Sequence, residues 1–306
     1  MLGDMIVPLL AATVQSGTPI LFATLGETVT ERAGVLNLGV EGMMLVGALT
    51  AFVVTAATGS PWLGFVCAGC AAALLGAVHG LVCLVFRGNQ VVSGLALTIF
   101  GVGFADYLGT PFVGRTAPGF GPLPVPLLAD IPALGPIFFR QDALVYVSYL
   151  LPVLLWLYLH RTSHGLSLRA AGEHPGATAS AGLNPSRLRW IGVLAGGFLV
   201  GLGGAYLSLA YTHLWTTGMT AGRGWIAVAL VIFAFWRPGR AVFGAYLFGG
   251  VMAFQLRVQA MGANLPSSLL LMLPYVLTIL VLLISSLKGT NMDAPAALGV
   301  NIEPED

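Results

Sequence analysis

Residues 161–190 read RTSHGLSLRAAGEHPGATASAGLNPSRLRW, the one long polar stretch in a chain that is otherwise nearly all apolar. On either side lie long windows without a charge. The composition is 57% hydrophobic and 8% charged, with a mean hydropathy of +0.89, against roughly 25% charged residues in soluble domains. Such a chain predicts an all-α polytopic membrane protein forming a single transmembrane domain over residues 1–306. A hydrophobic protein keeps a small-residue segment bearing Arg and Glu at its surface where something soluble docks on it. The net charge of +1 gives no reason to expect a nucleic-acid partner; the expected surroundings are membrane lipid.

A crossing needs about 20 largely apolar residues, because unsatisfied backbone groups are intolerable in lipid. Apolar windows fall near 5–25, 36–57, 62–86, 91–108, 143–160, 190–212, 225–236, 241–256 and 269–287, about nine spans, the seventh short enough to be broken or re-entrant. Asp4 stands where a signal peptide has its basic region, so the first helix is expected to be retained. With the 161–189 loop cytoplasmic, Arg32, Arg87, Arg161, Arg169, Arg187, Arg189, Arg237, Arg240 and Lys288 lie inside, and Arg115, Arg140, Arg223 and Arg257 outside. This positive-inside bias predicts an outer N-terminus and a cytoplasmic C-terminus. The Pro-rich loop over 109–142 then faces out, as a cap with short helical pieces at most, burying Phe112, Phe120, Leu123, Ile131, Leu134, Ile137 and Phe138.

No catalytic chemistry is legible. The only lysine, Lys288, follows Leu287, so there is no Gly-Lys-Ser/Thr phosphate loop. The five histidines form no ligand-spaced pair, no Gly-x-Ser-x-Gly is present, and Cys67 and Cys70 sit in apolar sequence as helix-packing residues. Gly192 with Gly196, and Gly197 with Gly201, are small-residue pairs that let helices approach closely. Glu27, Glu31 and Arg32 read as a cytoplasmic turn in which the carboxylates pair with the arginine; Asn37 and Glu41 lie deeper, and stand equally as turn residues or as lining of a translocation pathway. Asn89, Gln90 and Ser93 enter the next span, as pathway donors or with Asn89 as a helix cap. His213 and Trp215 read as interfacial anchors. In the polar loop a helix is expected from about Ala170 to Ala181, its alanines forming a smooth knob, closed by Gly182 and followed by re-entry at Asn184-Pro185.

Five strings together carry a family likeness: GETVTERAGVLNLGVEGMMLVGA (26–48), NQVVSGLAL (89–97), IPALGPIFFRQDALVY (131–146), LRAAGEHPGATASAGLNPSRLR (168–189) and TAGRGWIAVALVIFAFWRPGRAVFGAYLFG (220–249). They resemble the permease subunits of bacterial ABC importers for nucleosides and simple sugars, the branch served by basic-membrane-protein-type lipoprotein receptors. The likeness covers most of the chain in order. It implies the ABC importer permease fold with a cytoplasmic coupling helix at Arg169, Gly172, Glu173, His174, Ala177 and Gly182, in a multi-pass protein of the bacterial cytoplasmic (inner) membrane. His174 stands where the family often has Asn, and AFWRPGR (234–240) where relatives tend to have Gly after Phe. The chain itself would bind no cofactor and would not be an enzyme. ATP and Mg would be used by a separate cytoplasmic ATPase, alongside a second permease subunit and an extracytoplasmic substrate-binding lipoprotein. Relatives begin with one more helix, which favours a heterodimer, and the expected substrate is a nucleoside. The rival reading is an ion-coupled secondary transporter of a small polar solute, for which Glu41 and Asp106 are the deep carboxylates.

Overall fold

The computed structural model describes residues 2–261, 266–287 and 294–302. Eleven helices are found among them: α1 Leu2–Arg32, α2 Val40–Thr58, α3 Pro61–Gly80, α4 Gln90–Gly109, α5 Ala143–Arg161, α6 Ser163–Glu173, α7 Pro175–Ser180, α8 Pro185–Tyr206, α9 Arg223–Phe233, α10 Pro238–Ala260 and α11 Ser267–Leu287. Wider π-helical turns extend α3 over Leu81–Val85 and α8 over Leu207–Tyr211. Seven of these helices (α1, α2, α3, α4, α5, α8 and α10) are long and apolar enough to cross a membrane. α9 has only 11 residues, and α11 is a further apolar helix of 21. The expected count of about nine is therefore not established, and the short seventh window is a short helix. Lys288, one of the inside set, lies outside the described residues.

The centre is built by α1, α2 and α8, with α3 and α10 packed on them. Glycine sets how closely these helices approach, because a Cβ would collide with the neighbour's backbone. One built on Gly26 would stand 2.5 Å from the Gly196 carbonyl oxygen, and one on Gly47 would stand 2.6 Å from that of Gly201. Both predicted glycine pairs on α8 thus serve the expected purpose: Gly192 and Gly196 face α1, and Gly197 and Gly201 face α3.

Several expectations shift. α1 does not stop near residue 25 but continues through Glu27 and Glu31 to Arg32, with both carboxylates buried. The turn comes later, at Gly34 (φ +91°). Trp215 is no interfacial anchor: it is wholly buried against Phe52 and Ala105. Arg223, counted among the loop arginines, is buried as the first residue of α9. The Pro-rich loop folds as expected into short pieces, one 3-10 turn at Thr110–Phe112 and one π turn at Gly135–Phe139. It is stitched to the 209–215 segment by Phe120 N–H to Leu209 O, Ala117 N–H to His213 O and Gly114 N–H to Trp215 O. Phe120 and Ile137 enter the core beside Phe65 and Tyr206, whereas Leu123, Leu134 and Phe138 stay exposed. Asp142 caps α5 through the Leu144 and Val145 amides (2.9 and 3.1 Å). Burial pushes its carboxyl above the ordinary carboxylate range, against those bonds and the Tyr206 hydroxyl.

Replacing Gly201 with Leu forces a side chain onto the Ala68 and Ala72 surface of α3 and should cost about 3 kcal/mol by overpacking. Detergent melting monitored by size-exclusion chromatography should show a clear downward shift, and an unchanged transition would contradict the close α3–α8 contact.

Candidate coupling site

The polar stretch folds as two helices and not one. Thr162, extended at φ −108°, accepts the Gly165 amide at 3.0 Å and starts α6. α6 stops at Glu173 because His174 precedes proline, whose ring excludes the helical conformation from the residue before it. His174 is accordingly extended (φ −148°, ψ 86°), and its Nδ1 accepts the Ala177 amide at 3.1 Å, capping α7. Pro175 at the first position of α7 lacks the N–H that would be orphaned there. Gly182 (φ +80°) closes α7 as expected, with Leu183 N–H returning to Thr178 O at 3.2 Å. Asn184 then accepts the Arg187 amide at 3.0 Å and opens α8.

This break decides what is displayed. Thr178 is buried while Ala177, Ala179, Ser180, Ala181 and Gly182 are exposed, so α7 is a smooth knob; Ala171, expected on that knob, lies on α6 instead and is buried. Behind the knob the chain is tied to the end of α1. A Cβ on Gly172 would collide with the Arg32 carbonyl oxygen, so only glycine permits the approach. Glu173, about half exposed, lies 3.7 Å from the Arg32 guanidinium, a contact worth no more than about 1 kcal/mol at such exposure. Arg169 lines a cavity of about 760 Å³ with Arg32, His160, Arg237, Arg240 and Glu173. A groove of about 560 Å³ runs along the other side of Glu173, past His174, Gly176 and Ala179.

The five residues considered for a pathway fall on the α1–α2 turn and at the starts of α2 and α4. Asn37 is buried and spent on the α1–α2 turn: its amide donates to Glu27 Oε1 at 3.1 Å, its Oδ1 accepts Gly39 N–H at 2.8 Å, and its side-chain nitrogen meets Met43 Sδ. Gln90 Oε1 accepts the Leu36 amide at 2.8 Å. Asn89 caps α4 through Val92 N–H at 3.0 Å, and Ser93 pairs with His79 Nδ1 at 2.9 Å beside an α3–α4 groove. Glu41 takes Thr220 Oγ1 (2.7 Å), Gly222 N–H (2.8 Å) and Gly224 N–H (2.6 Å), so its carboxylate sits on the N-terminus of α9. Glu31 accepts the Trp236 indole N–H, and Arg32 donates to the Phe235 and Trp236 carbonyls at 3.3 and 3.2 Å. Those two residues carry positive φ (53° and 52°), a strained pair without glycine, held from α1.

Two features went unseen in the sequence. Residues 294–302 lie against the coupling end, where Arg189 is fully buried beneath them. Arg223, Gln255 and Tyr275 line a cavity of about 360 Å³ between α9, α10 and α11. Arginine beside the glycines of 218–224 was a visible signal for the second; the first had none, because a short segment without periodicity does not announce its contacts.

Residues 9–282 match the sequence profile of the branched-chain amino acid transport system / permease component family. The chain belongs to that family. It is 48% identical over 261 residues to a putative glucose ABC transporter permease protein, TsgC13, of Haloferax volcanii, covering 84% of this chain and 79% of that one. It is 34% identical to the guanosine ABC transporter permease protein NupQ of Bacillus subtilis, over 94% of each chain. It is 35% identical to the nucleoside ABC transporter permease protein NupC of Lactococcus lactis, over 93% of each. No solved structure matches it. The chain is thus a multi-pass ABC transporter permease, a transport subunit and not an enzyme; a partner ATPase hydrolyses ATP with Mg, and a substrate-binding protein delivers the solute.

Glu41→Ala removes three hydrogen bonds to a carboxylate, of a kind worth about 1.5–3 kcal/mol each. The variant should melt well below the parent in detergent, and uptake by surviving protein should show the parent's indifference to a proton gradient. Loss of proton-driven uptake with unchanged melting would instead favour ion coupling at Glu41.

Proposed function

We propose that this chain forms half of the translocation pathway of an importer for nucleosides and receives the ATPase stroke on α7. The observation that carries the reading is the geometry at His174-Pro175: a break presents a short, smooth, exposed helix whose root at Gly172–Glu173 rests directly on the end of α1. A partner pressing on Ala177 and its neighbours would move the α6–α7 corner against the helix that packs on both α8 and α10. In this reading Arg169, Gly172, Glu173, His174, Ala177 and Gly182 form the coupling surface. The 161–189 loop faces the cytoplasm, and the 109–142 loop faces the binding protein across the cytoplasmic membrane. A second, different permease chain completes the pathway. Alternating access then needs only differential contacts in two states, not tight solute binding.

Nucleosides are favoured by the guanosine and nucleoside permeases, which align over nearly the whole chain. A sugar is the second reading, favoured by the higher identity to the putative glucose permease. Asn37, Glu41 and Gln90 already spend their hydrogen-bonding groups within the chain, which supports a pathway nearer Arg223, Gln255 and Tyr275.

Glu173→Arg reverses the charge beside Arg32. It should leave insertion and ATPase binding intact while uncoupling hydrolysis from uptake in proteoliposomes; receptor-stimulated uptake at the parent rate would sink the coupling assignment. In parallel, vesicles holding the complete complex should import labelled guanosine in preference to glucose. The reverse preference would establish the sugar reading.

A further inference from the structure

The nine residues 294–302 make more directed contacts with the coupling end than a passive tail requires. The segment is a compact pair of turns, closed by Leu298 N–H to Pro295 O and Val300 N–H to Ala297 O, with Gly299 at φ +75°. From it bonds run to four separate junctions of the bundle. At the α6–α7 corner, Ala296 N–H donates to Glu173 Oε2 at 3.1 Å and Ala297 N–H to Gly172 O at 2.9 Å. At the α1–α2 turn, Gly299 N–H donates to Gly34 O at 3.3 Å. At the α3–α4 turn, the Asn301 side-chain nitrogen donates to Arg87 O at 2.7 Å and Gly88 O at 3.3 Å, and its oxygen accepts from Gln90. On α8, Arg189 donates to Val300 O at 2.6 Å and Ala297 O at 3.3 Å.

Two of these contacts are expensive to build. Arg189 is fully buried, and a buried guanidinium is strongly destabilising unless its donors are met. Arg87 is a non-glycine residue at φ 53°, and its carbonyl is the one Asn301 holds. α7, with six residues, is too short to hold its own place by helical propensity. Val300, Asn301 and Ile302 line the same groove as His174, Gly176 and Ala179, so the segment flanks α7 across it.

We propose that residues 294–302 are a positioning segment of the coupling apparatus. It fixes the α6–α7 corner relative to the α1–α2 turn, the α3–α4 turn and α8, so that displacement of α7 is delivered to all three together. This rests on the assignment of α7 to ATPase coupling. Asn301 and Arg189 act here through the segment and touch no solute.

The test uses the complete complex in proteoliposomes, with guanosine and glucose as import probes, and reads solute imported per ATP hydrolysed. Two variants are compared with the parent: Asn301→Ala, and a chain ending at Asp293 with or without a peptide of residues 290–306 enclosed in the vesicle. Both should insert, retain the ATPase and hydrolyse ATP, while import per ATP falls about tenfold, the scale of an ordinary coupling free energy. The peptide should restore the truncated chain. An import-to-ATP ratio equal to the parent's in either variant overturns the proposal. So does a loss of ATPase binding and of melting temperature in step with uptake, which would make the segment a folding element only. A parent complex that hydrolyses no ATP during import would instead sink the coupling reading itself, and this control separates the two failures.

Discussion

Where a helix begins or ends inside an apolar bundle, its free backbone groups have no water to bind, and a side chain must reach them. The Glu41 carboxylate on the first turn of α9 is that interaction, and the inner arrangement follows from it. Because Glu41 opens α2 and its partners open α9, two helices far apart in sequence start from one shared point. A negative group at a helix N-terminus also opposes the positive end of the helix dipole. The same device recurs at the other end of α9, where Glu31 and Arg32 of α1 hold the Phe235–Trp236 turn. α9 is thereby clamped at both ends by the charged residues that flank the α1–α2 turn.

This arrangement bears on how a push at the surface could reach the interior. α1 touches the α6–α7 corner through Arg32 and Gly172, packs on α8 through Gly26 and Gly196, and holds the exit of α9. Its closest contacts with α8 are made at glycines, Gly26 against the Gly196 carbonyl and Gly203 against the Pro19 carbonyl, where the neighbour is backbone. Tight packing of this kind transmits displacement instead of absorbing it. The loose parts lie elsewhere, on the exposed face of α7 and in the cavities beside Glu173, where a partner surface has room to fit.

Much of the fold was legible because lipid imposes a simple rule on the chain. Charge-free windows marked the long helices, glycines at four-residue spacing marked the α8 face, and Asn184-Pro185 and Gly182 marked helix ends. What misled was the meaning of charge. Glu27, Glu31, Arg32 and Arg223 read as loop residues because ionised groups avoid lipid. Glu27, Glu31 and Arg223 are buried in protein instead, and Arg32 is half-buried, facing helix ends, carbonyls and an aromatic ring. Sequence spacing does not distinguish those two environments. Nor could it divide α6 from α7 while Pro175 was read as an ordinary member of one helix.

The sequence by itself determined the class of this protein, a helical ABC permease, because the apolar windows and the five family-like strings are properties of the linear chain. It also singled out residues 161–189 as the surface that the proposed reading gives to the ATPase, because that stretch is long and polar. The tertiary structure alone decided which polar groups are still available. Asn37, Glu41 and Gln90 are committed to internal bonds, Arg189 lies under the C-terminal segment, and Arg223, Gln255 and Tyr275 meet at a cavity. The physical reason is that a hydrogen-bonding side chain looks the same in sequence whether its partner is a solute or a helix end. Only the folded chain shows which partner has already taken it.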